Sequence, residues 1–338
     1  MRTVQIPEAT TVGQPAERVA WNKRHVLDLD EFSRQEMEAV LDTSSAMKDV
    51  LHRDIKKVPT LRGKSILTLF YESSTRTRVS FEQAGKVLSA DVINISSGTS
   101  SAAKGESLLD TLLTLQSMAA DVIVIRHPSS GAPYLAARHL GHASVVNAGD
   151  GTHAHPTQAL LDAFTIREKR GRLEGLRVAI VGDVAHSRVA RSNLWGLTRM
   201  GAHVVLCGPP TLMPWDLLKG RETTPGHPFG AVEVELDLEK ALPDADVIMA
   251  LRLQKERQQM GAIPSLREYA RLWQVNTERL ALCRPDVLLM HPGPMNEGVE
   301  ISPEAAHGPH SVVQEQVTNG VAVRMALLYL LCGPAESS

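Results

Sequence analysis

Cysteine is scarce in this chain, with only Cys207, Cys283 and Cys332 among 338 residues. They lie far apart, are odd in number and lack metal-ligand spacing, which argues against a structural zinc site and suits a reducing compartment, the cytoplasm by default. Excess charge is missing too. Basic residues number 36 and acidic ones 38, so a net charge of −2 gives no global field to recruit nucleic acid or an anionic membrane. Any anion binding has to be local. No apolar run reaches the roughly 18 uncharged residues of a membrane span. Residues 1–22 mix charge, proline and threonine like a loose leader, not a secretory signal. Internal repeats and low-complexity tracts are also lacking.

What is present is alternation. With 43% hydrophobic residues the chain is long enough for two α/β domains, each with its own core. Apolar positions from Leu29 to Leu51 recur at helical spacing, predicting an amphipathic helix over 28–52. Strands are then expected at 65–70, 91–95, 121–125 and 144–147, with helices at 75–88, 106–118, 132–140 and 156–170 between and after them. The charged stretch Arg167-Glu168-Lys169-Arg170-Gly171-Arg172 marks the expected domain junction. A second series follows, with strands at 178–181, 203–207, 232–234, 247–250 and 287–290 and a helix over 187–200. The last apolar segment, Gly320 to Leu331, predicts a helix with no strand after it, free to return to another part of the chain. The fold class expected is α/β, with two doubly wound parallel-sheet domains and the ligand site in the cleft between them.

Chemistry concentrates where strands end. After the first strand, Glu72-Ser73-Ser74-Thr75-Arg76-Thr77-Arg78 runs into a helix, bringing hydroxyls, backbone N–H groups and a positive dipole end together. A capped helix start would explain a lone Ser-Thr pair. Two arginines in the first turn oppose the dipole unless an anion lies between them, so a bound phosphate-like dianion is the better account. Arg126 stands at the end of the third strand, a place for a ligand group or for a surface ion pair. Gly149-Asp150-Gly151-Thr152-His153-Ala154-His155-Pro156-Thr157-Gln158 follows the fourth. His155 there suits hydrogen-bond donation to a carbonyl better than a metal, since no carboxylate or cysteine completes a ligand set. The loop 96–106 with its single Lys104 is either a plain connection or a mobile binding loop.

In the second series, Gly182-Asp183-Val184-Ala185-His186-Ser187-Arg188 stands where a dinucleotide enzyme carries Gly-x-Gly-x-x-Gly, and that fingerprint is missing. Arg188 and Arg252 instead sit at two strand ends, a pair suited to a dicarboxylate.

In their order along residues 24–330 these motifs resemble the aspartate and ornithine carbamoyltransferase family. Ser-Thr-Arg-Thr-Arg and His-Pro-Thr-Gln mark the family at large. Arg252-Leu253-Gln254-Lys255-Glu256-Arg257 and His291-Pro292-Gly293-Pro294 resemble its aspartate branch, and the Ser-Met-Gly and His-Cys-Leu-Pro motifs of the ornithine branch are missing. The resemblance implies a carbamoyl-phosphate domain over 1–171, completed by the terminal helix 311–338, and an aspartate domain over 172–310. It implies that Ser74, Thr75, Arg76, Thr77 and Arg126 hold the phosphate, and that Thr77, Arg126 and His155 face the carbonyl oxygen. Gln158 would take the carbamoyl nitrogen, with Pro292 and Gly293 lending backbone. Arg188 would bind the α-carboxylate of L-aspartate, and Arg252 with Gln254 the β-carboxylate. Ser100 and Lys104 would come from the neighbouring subunit of a homotrimer. Neither metal nor organic cofactor is implied. Partnership with a regulatory chain or a dihydroorotase stays open, as do an ornithine-specific transferase, a dehydrogenase and a non-enzymatic scaffold. One departure from the family pattern is Glu297, where many bacterial members carry arginine.

Overall fold

A computed structural model describes residues 21–96, 106–254 and 262–332. The first helix, α1 (Arg34–Leu51), begins later than periodicity predicts. Leu29 and Phe32 are buried as expected, but in the turn before the helix. Ser33 fixes the start: its Oγ accepts from the Glu36 N–H while the Glu36 carboxylate accepts from the Ser33 N–H, a reciprocal cap that closes two open backbone donors.

Two parallel sheets follow. The first is built from β1 (Ser65–Phe70), α2 (Thr75–Val87), β2 (Asp91–Ser96), α3 (Leu108–Ser117), β3 (Val122–His127), α4 (Ala132–His139), β4 (Ser144–Asp150) and α5 (Pro156–Arg170). Its strand order is β2-β1-β3-β4. The second comes from β5 (Arg177–Val181), α6 (Arg188–Arg199), β6 (His203–Cys207), α7 (Trp215–Leu218), β7 (Glu233–Glu235), α8 (Leu238–Ala241), β8 (Val247–Ala250), α9 (Leu266–Trp273), α10 (Thr277–Leu280), β9 (Leu288–Met290) and α11 (Pro303–Ala306). Its order is β7-β6-β5-β8-β9. All registered pairs are parallel. The two-domain, helix-flanked α/β class expected from alternation is therefore the observed one. Central strands such as β8 are buried throughout, which is why they read as unbroken apolar runs and not as alternating ones.

The order reverses once in each sheet, between β1 and β3 and between β5 and β8. At such a reversal the connections leave to opposite sides and open a crevice beyond the strands' carboxyl ends. The two crevices face one another, because α5 packs along α6 and one buried core runs through both halves, taking in Leu160 and Phe164 on one side and Leu194 and Leu197 on the other.

The final helix, α12 (Val313–Cys332), packs on α1, α2 and α5. It starts seven residues before the apolar run at Gly320, because its first turns bury the polar Gln316 and Asn319, which hydropathy does not reveal. No helix among the described residues is long and apolar enough to cross a membrane.

Candidate active site

The facing crevices enclose a cleft of about 690 Å³. Every described residue of the expected set lines it: Ser74, Thr75, Arg76, Thr77, Arg126, His155, Gln158, Arg188, Arg252, Gln254, Pro292 and Gly293. Ser100 and Lys104, like the segment Lys255-Glu256-Arg257, lie outside the described residues.

On the first sheet's side, Ser74 is the N-cap of α2 in extended conformation, yet its hydroxyl makes no cap bond. The helix start thus faces the cleft with backbone donors and hydroxyls at its positive end, as an anion needs. Arg76 turns to the cleft, whereas Arg78 does not line it. Burial, and after it the nearby Arg252, hold the Arg76 guanidinium below its ordinary pKa, as expected where two cations are gathered in one cleft. Room for Arg76 comes from Gly293: at φ +62°, a Cβ there would stand 2.7 Å from the guanidinium carbon. Any side chain at 293 would collide with the arginine.

Arg126 donates to the Ala148 carbonyl at 3.1 Å, and its Nε lies 3.3 Å from the Glu72 carboxylate. The β3–β4 register shifts between Ile125 and His127, and Gly149 follows at φ +114°. A Cβ on Gly149 would come within 2.9 Å of Arg188 and 3.1 Å of Arg126, so the bare backbone lets two guanidiniums pass on one side of a strand. His155 is the buried N-cap of α5, its N–H held by Ser192 Oγ at 2.9 Å. One turn on, Gln158 donates Nε2 to Asp162 at 3.0 Å. With the amide nitrogen turned to Asp162, the carbonyl oxygen is the opposite end of the group, an acceptor for a ligand N–H that lines up with it.

The second sheet supplies Arg188 at the first turn of α6 and Arg252 beyond β8. Arg188 is only 4% exposed; it donates to the Gly151 carbonyl at 3.2 Å and to Glu72 at 2.7 Å, both partners belonging to the first half. Arg252 reaches Gln254 Oε1 at 3.4 Å, and the Gln254 N–H donates to Asp183 at 3.2 Å, tying the end of β8 to the turn after β5. Glu72 is the single carboxylate among the described lining residues. It bridges Arg126 and Arg188 across the cleft.

Motif reading gave no role to Glu72, Arg324 or Gln316, all of which line the cleft. Glu72 adjoins the hydroxyl motif, so its position was a signal. Arg324, a buried cation inside an apolar helix, was another, since arginine is seldom fully buried. Gln316 had no local signal at all. Glu297 pairs with His307 at 3.2 Å on the surface and is not among the lining residues.

Residues 24–168 match the family model described as aspartate/ornithine carbamoyltransferase, carbamoyl-P binding domain, and residues 174–331 match its Asp/Orn binding domain. The chain belongs to the aspartate/ornithine carbamoyltransferase family. Within it, the aspartate carbamoyltransferase catalytic subunit of Roseiflexus sp. (strain RS-1) is 60% identical over 311 residues, covering 92% of this chain and 96% of that protein. The subunit of the same name from Heliobacterium modesticaldum is 57% identical over 319 residues, covering 94% and 99%. Among solved structures, an aspartate transcarbamoylase from Trypanosoma cruzi in complex with N-(phosphonacetyl)-L-aspartic acid superposes with a TM-score of 0.84 at 31% identity, over 93% of this chain and 98% of that one. An ornithine carbamoyltransferase from Pyrococcus furiosus reaches 0.82 at 30%, over 94% and 100%. Backbone likeness does not separate the two branches of the family, whereas sequence likeness does.

Proposed function

We propose that this protein transfers the carbamoyl group of carbamoyl phosphate to the α-amine of L-aspartate, giving N-carbamoyl-L-aspartate and phosphate, as a cytoplasmic step of de novo pyrimidine biosynthesis. The observation that carries the reading is the meeting of Arg76, Arg126 and His155 with Arg188 and Arg252 in one cleft at two facing strand-order reversals. The relatives named aspartate carbamoyltransferase, at 57 to 60% identity, favour the aspartate branch.

In this reading residues 1–171 with the terminal helix 311–338 bind carbamoyl phosphate and residues 172–310 bind aspartate. Ser74, Thr75, Arg76, Thr77 and Arg126 seat the phosphate. Thr77, Arg126 and His155 donate to the carbonyl oxygen, and Gln158 accepts from the carbamoyl nitrogen. Arg188 takes the α-carboxylate, Arg252 and Gln254 the β-carboxylate. The neutral amine attacks the carbamoyl carbon, the carbonyl oxygen gains charge, and the donors around it stabilise that charge more than they stabilise the ground state. The carbon–oxygen bond to phosphate then breaks, and phosphate leaves with the proton the amine sheds. No protein nucleophile is needed. Holding two anionic substrates in contact can itself contribute roughly 7 to 11 kcal/mol through effective molarity.

The test is product formation with aspartate against ornithine; activity with ornithine alone sinks the aspartate assignment. A homotrimer in which Ser100 and Lys104 reach a neighbour's cleft has its own test. Inactive Lys104→Ala and Arg126→Ala chains, dissociated and reassembled together, regain activity at hybrid interfaces if sites are shared, and stay inactive if each chain holds a whole site.

A further inference from the structure

Behind Gln158 lies a carboxylate that no step above uses. Asp162, one turn further along α5, is fully buried, yet three side-chain amides converge on it from three helices. Its Oδ1 accepts from Gln158 Nε2 at 3.0 Å and from Gln316 Nε2 of α12 at 2.8 Å, and its Oδ2 accepts from Asn193 Nδ2 of α6 at 2.9 Å. Gln316 in turn accepts, through Oε1, the N–H of His291, the residue before Pro292 and Gly293. Asn193 sits on the helix whose first residue is Arg188.

All three neighbours point donors at Asp162, and a carboxylate is the one side-chain group of this size that only accepts. An amide or a protonated acid here would turn a donor against a donor. Of the three amides, Gln158 is the one given a ligand atom to bind, and it lines the cleft. Its two ends differ in hydrogen-bond sense, and a half-turn about its last torsion exchanges them.

We propose that Asp162 is the positioning residue that makes the site specific for an acyl group bearing NH2, by holding Gln158 with its carbonyl oxygen, and not its amide nitrogen, toward the cleft. The same carboxylate reaches the 291–293 turn through Gln316 and α6 through Asn193, so one buried charge sets the orientation of a substrate-facing amide and links it to the opposite wall. The inference rests on the proposed role of Gln158 at the carbamoyl nitrogen.

Two stable probes separate the inference from that role. Phosphonoacetamide carries NH2 where 2-oxopropylphosphonate carries a methyl group, and the two are otherwise alike in shape and charge. The wild-type protein is expected to bind the amide about tenfold more tightly by calorimetry, since one buried hydrogen bond is formed or lost. Asp162→Asn is expected to bring the ratio close to one while both probes still bind through their phosphonates. If wild type shows no preference, the role of Gln158 fails and this inference with it. If wild type prefers the amide and the folded variant prefers it equally, the inference alone is overturned.

Should Asp162→Asn fail to fold, the ratio is read in wild type from pH 8 down to pH 5. Burial raises the Asp162 carboxyl to about 6 against the pull of the three amides and of Arg324, the charged group acting on it from α12. Taking a ratio cancels the titration of the phosphonates and of the cleft's other groups, which both probes share. With the protonation of Asp162 followed in parallel by its carboxyl carbon NMR shift, a preference that falls as Asp162 takes up its proton supports the assignment; a preference that stays constant while Asp162 is seen to protonate overturns it.

Discussion

The two walls of the cleft are built differently. The first sheet's wall offers a helix start, hydroxyls and backbone, with Arg76 and Arg126 inserted into spaces left by Gly293 and Gly149. The second sheet's wall offers guanidiniums on otherwise ordinary strand ends, and its most buried one, Arg188, spends its bonds on Gly151 and Glu72 of the opposite wall. The hydrogen bonds of Arg126 thus stay within its own half, and the first wall borrows only the space beside Gly293, whereas the second is held in place partly by side-chain and backbone partners of the first. A preorganised wall suits the group whose charge changes during reaction; a wall that borrows its partners suits a substrate that arrives second and replaces them.

The largest effects should divide along that line. Arg126→Ala removes a donor proposed to face the oxygen that gains charge, and kcat is expected to fall by about 10² to 10³. Arg252→Ala removes the charged partner proposed for a substrate carboxylate: the aspartate KM is expected to rise about a hundredfold with carbamoyl phosphate affinity nearly unchanged. Steady-state kinetics with each substrate varied in turn decides this. Equal damage to both affinities by Arg252→Ala means that the walls are not separate.

Glu72 tests the borrowing. Glu72→Gln keeps the shape but leaves Arg188, buried, with a neutral partner, so unliganded stability is expected to drop by about 1 to 3 kcal/mol. An added dicarboxylate such as succinate should then raise the melting temperature of the variant more than that of wild type, because it supplies the missing charge. Equal shifts in both proteins show that Glu72 does not occupy a substrate's electrostatic place.

How much of this was legible depended on whether the information was local. The strands were, since burial on both faces leaves unbroken apolar runs such as Val247-Ile248-Met249-Ala250, and the place of the hydroxyl and arginine motif at a helix start on the cleft was, since it is contiguous in the chain. The start of α1 was set by a reciprocal cap that hydrophobic spacing does not register. The early turns of α12 were hidden because Gln316 and Asn319 look like surface residues until their partners, Asp162 and Thr165, are brought from about 150 residues away. Arg188 was read as a ligand group from its strand end. That Glu72 of the first half already holds it depends on how the two sheets face each other, which no local pattern carries.

The last expected effect concerns how stability depends on pH and not catalysis. Asp28 is 4% exposed and accepts from the Leu29 N–H at 2.8 Å and from Ser192 Oγ at 3.2 Å, the same hydroxyl that fixes His155. Burial is the main cause raising its carboxyl from 3.8 to about 6, with Asp30 adding to the rise and the backbone bond, His153 and Ser192 opposing it. A carboxyl raised on folding favours the folded state in its protonated form. Its contribution is therefore full below about pH 3.8 and is lost as the pH climbs through about 6, on the order of 2 to 3 kcal/mol across that window. Asp150, raised by its burial but brought below its ordinary value by the combined bonds from His153, Asn147 and Gly131, acts in the opposite sense, losing its contribution as the pH falls. Asp28→Asn keeps the acceptor that Leu29 and Ser192 use and cannot titrate, so urea unfolding of the variant between pH 4 and 6.5 should lack that part of the loss. Wild type and variant following parallel curves would mean that Asp28 is charged to the same extent folded and unfolded, and that the wall carrying His155 holds its shape without a strained acid behind it.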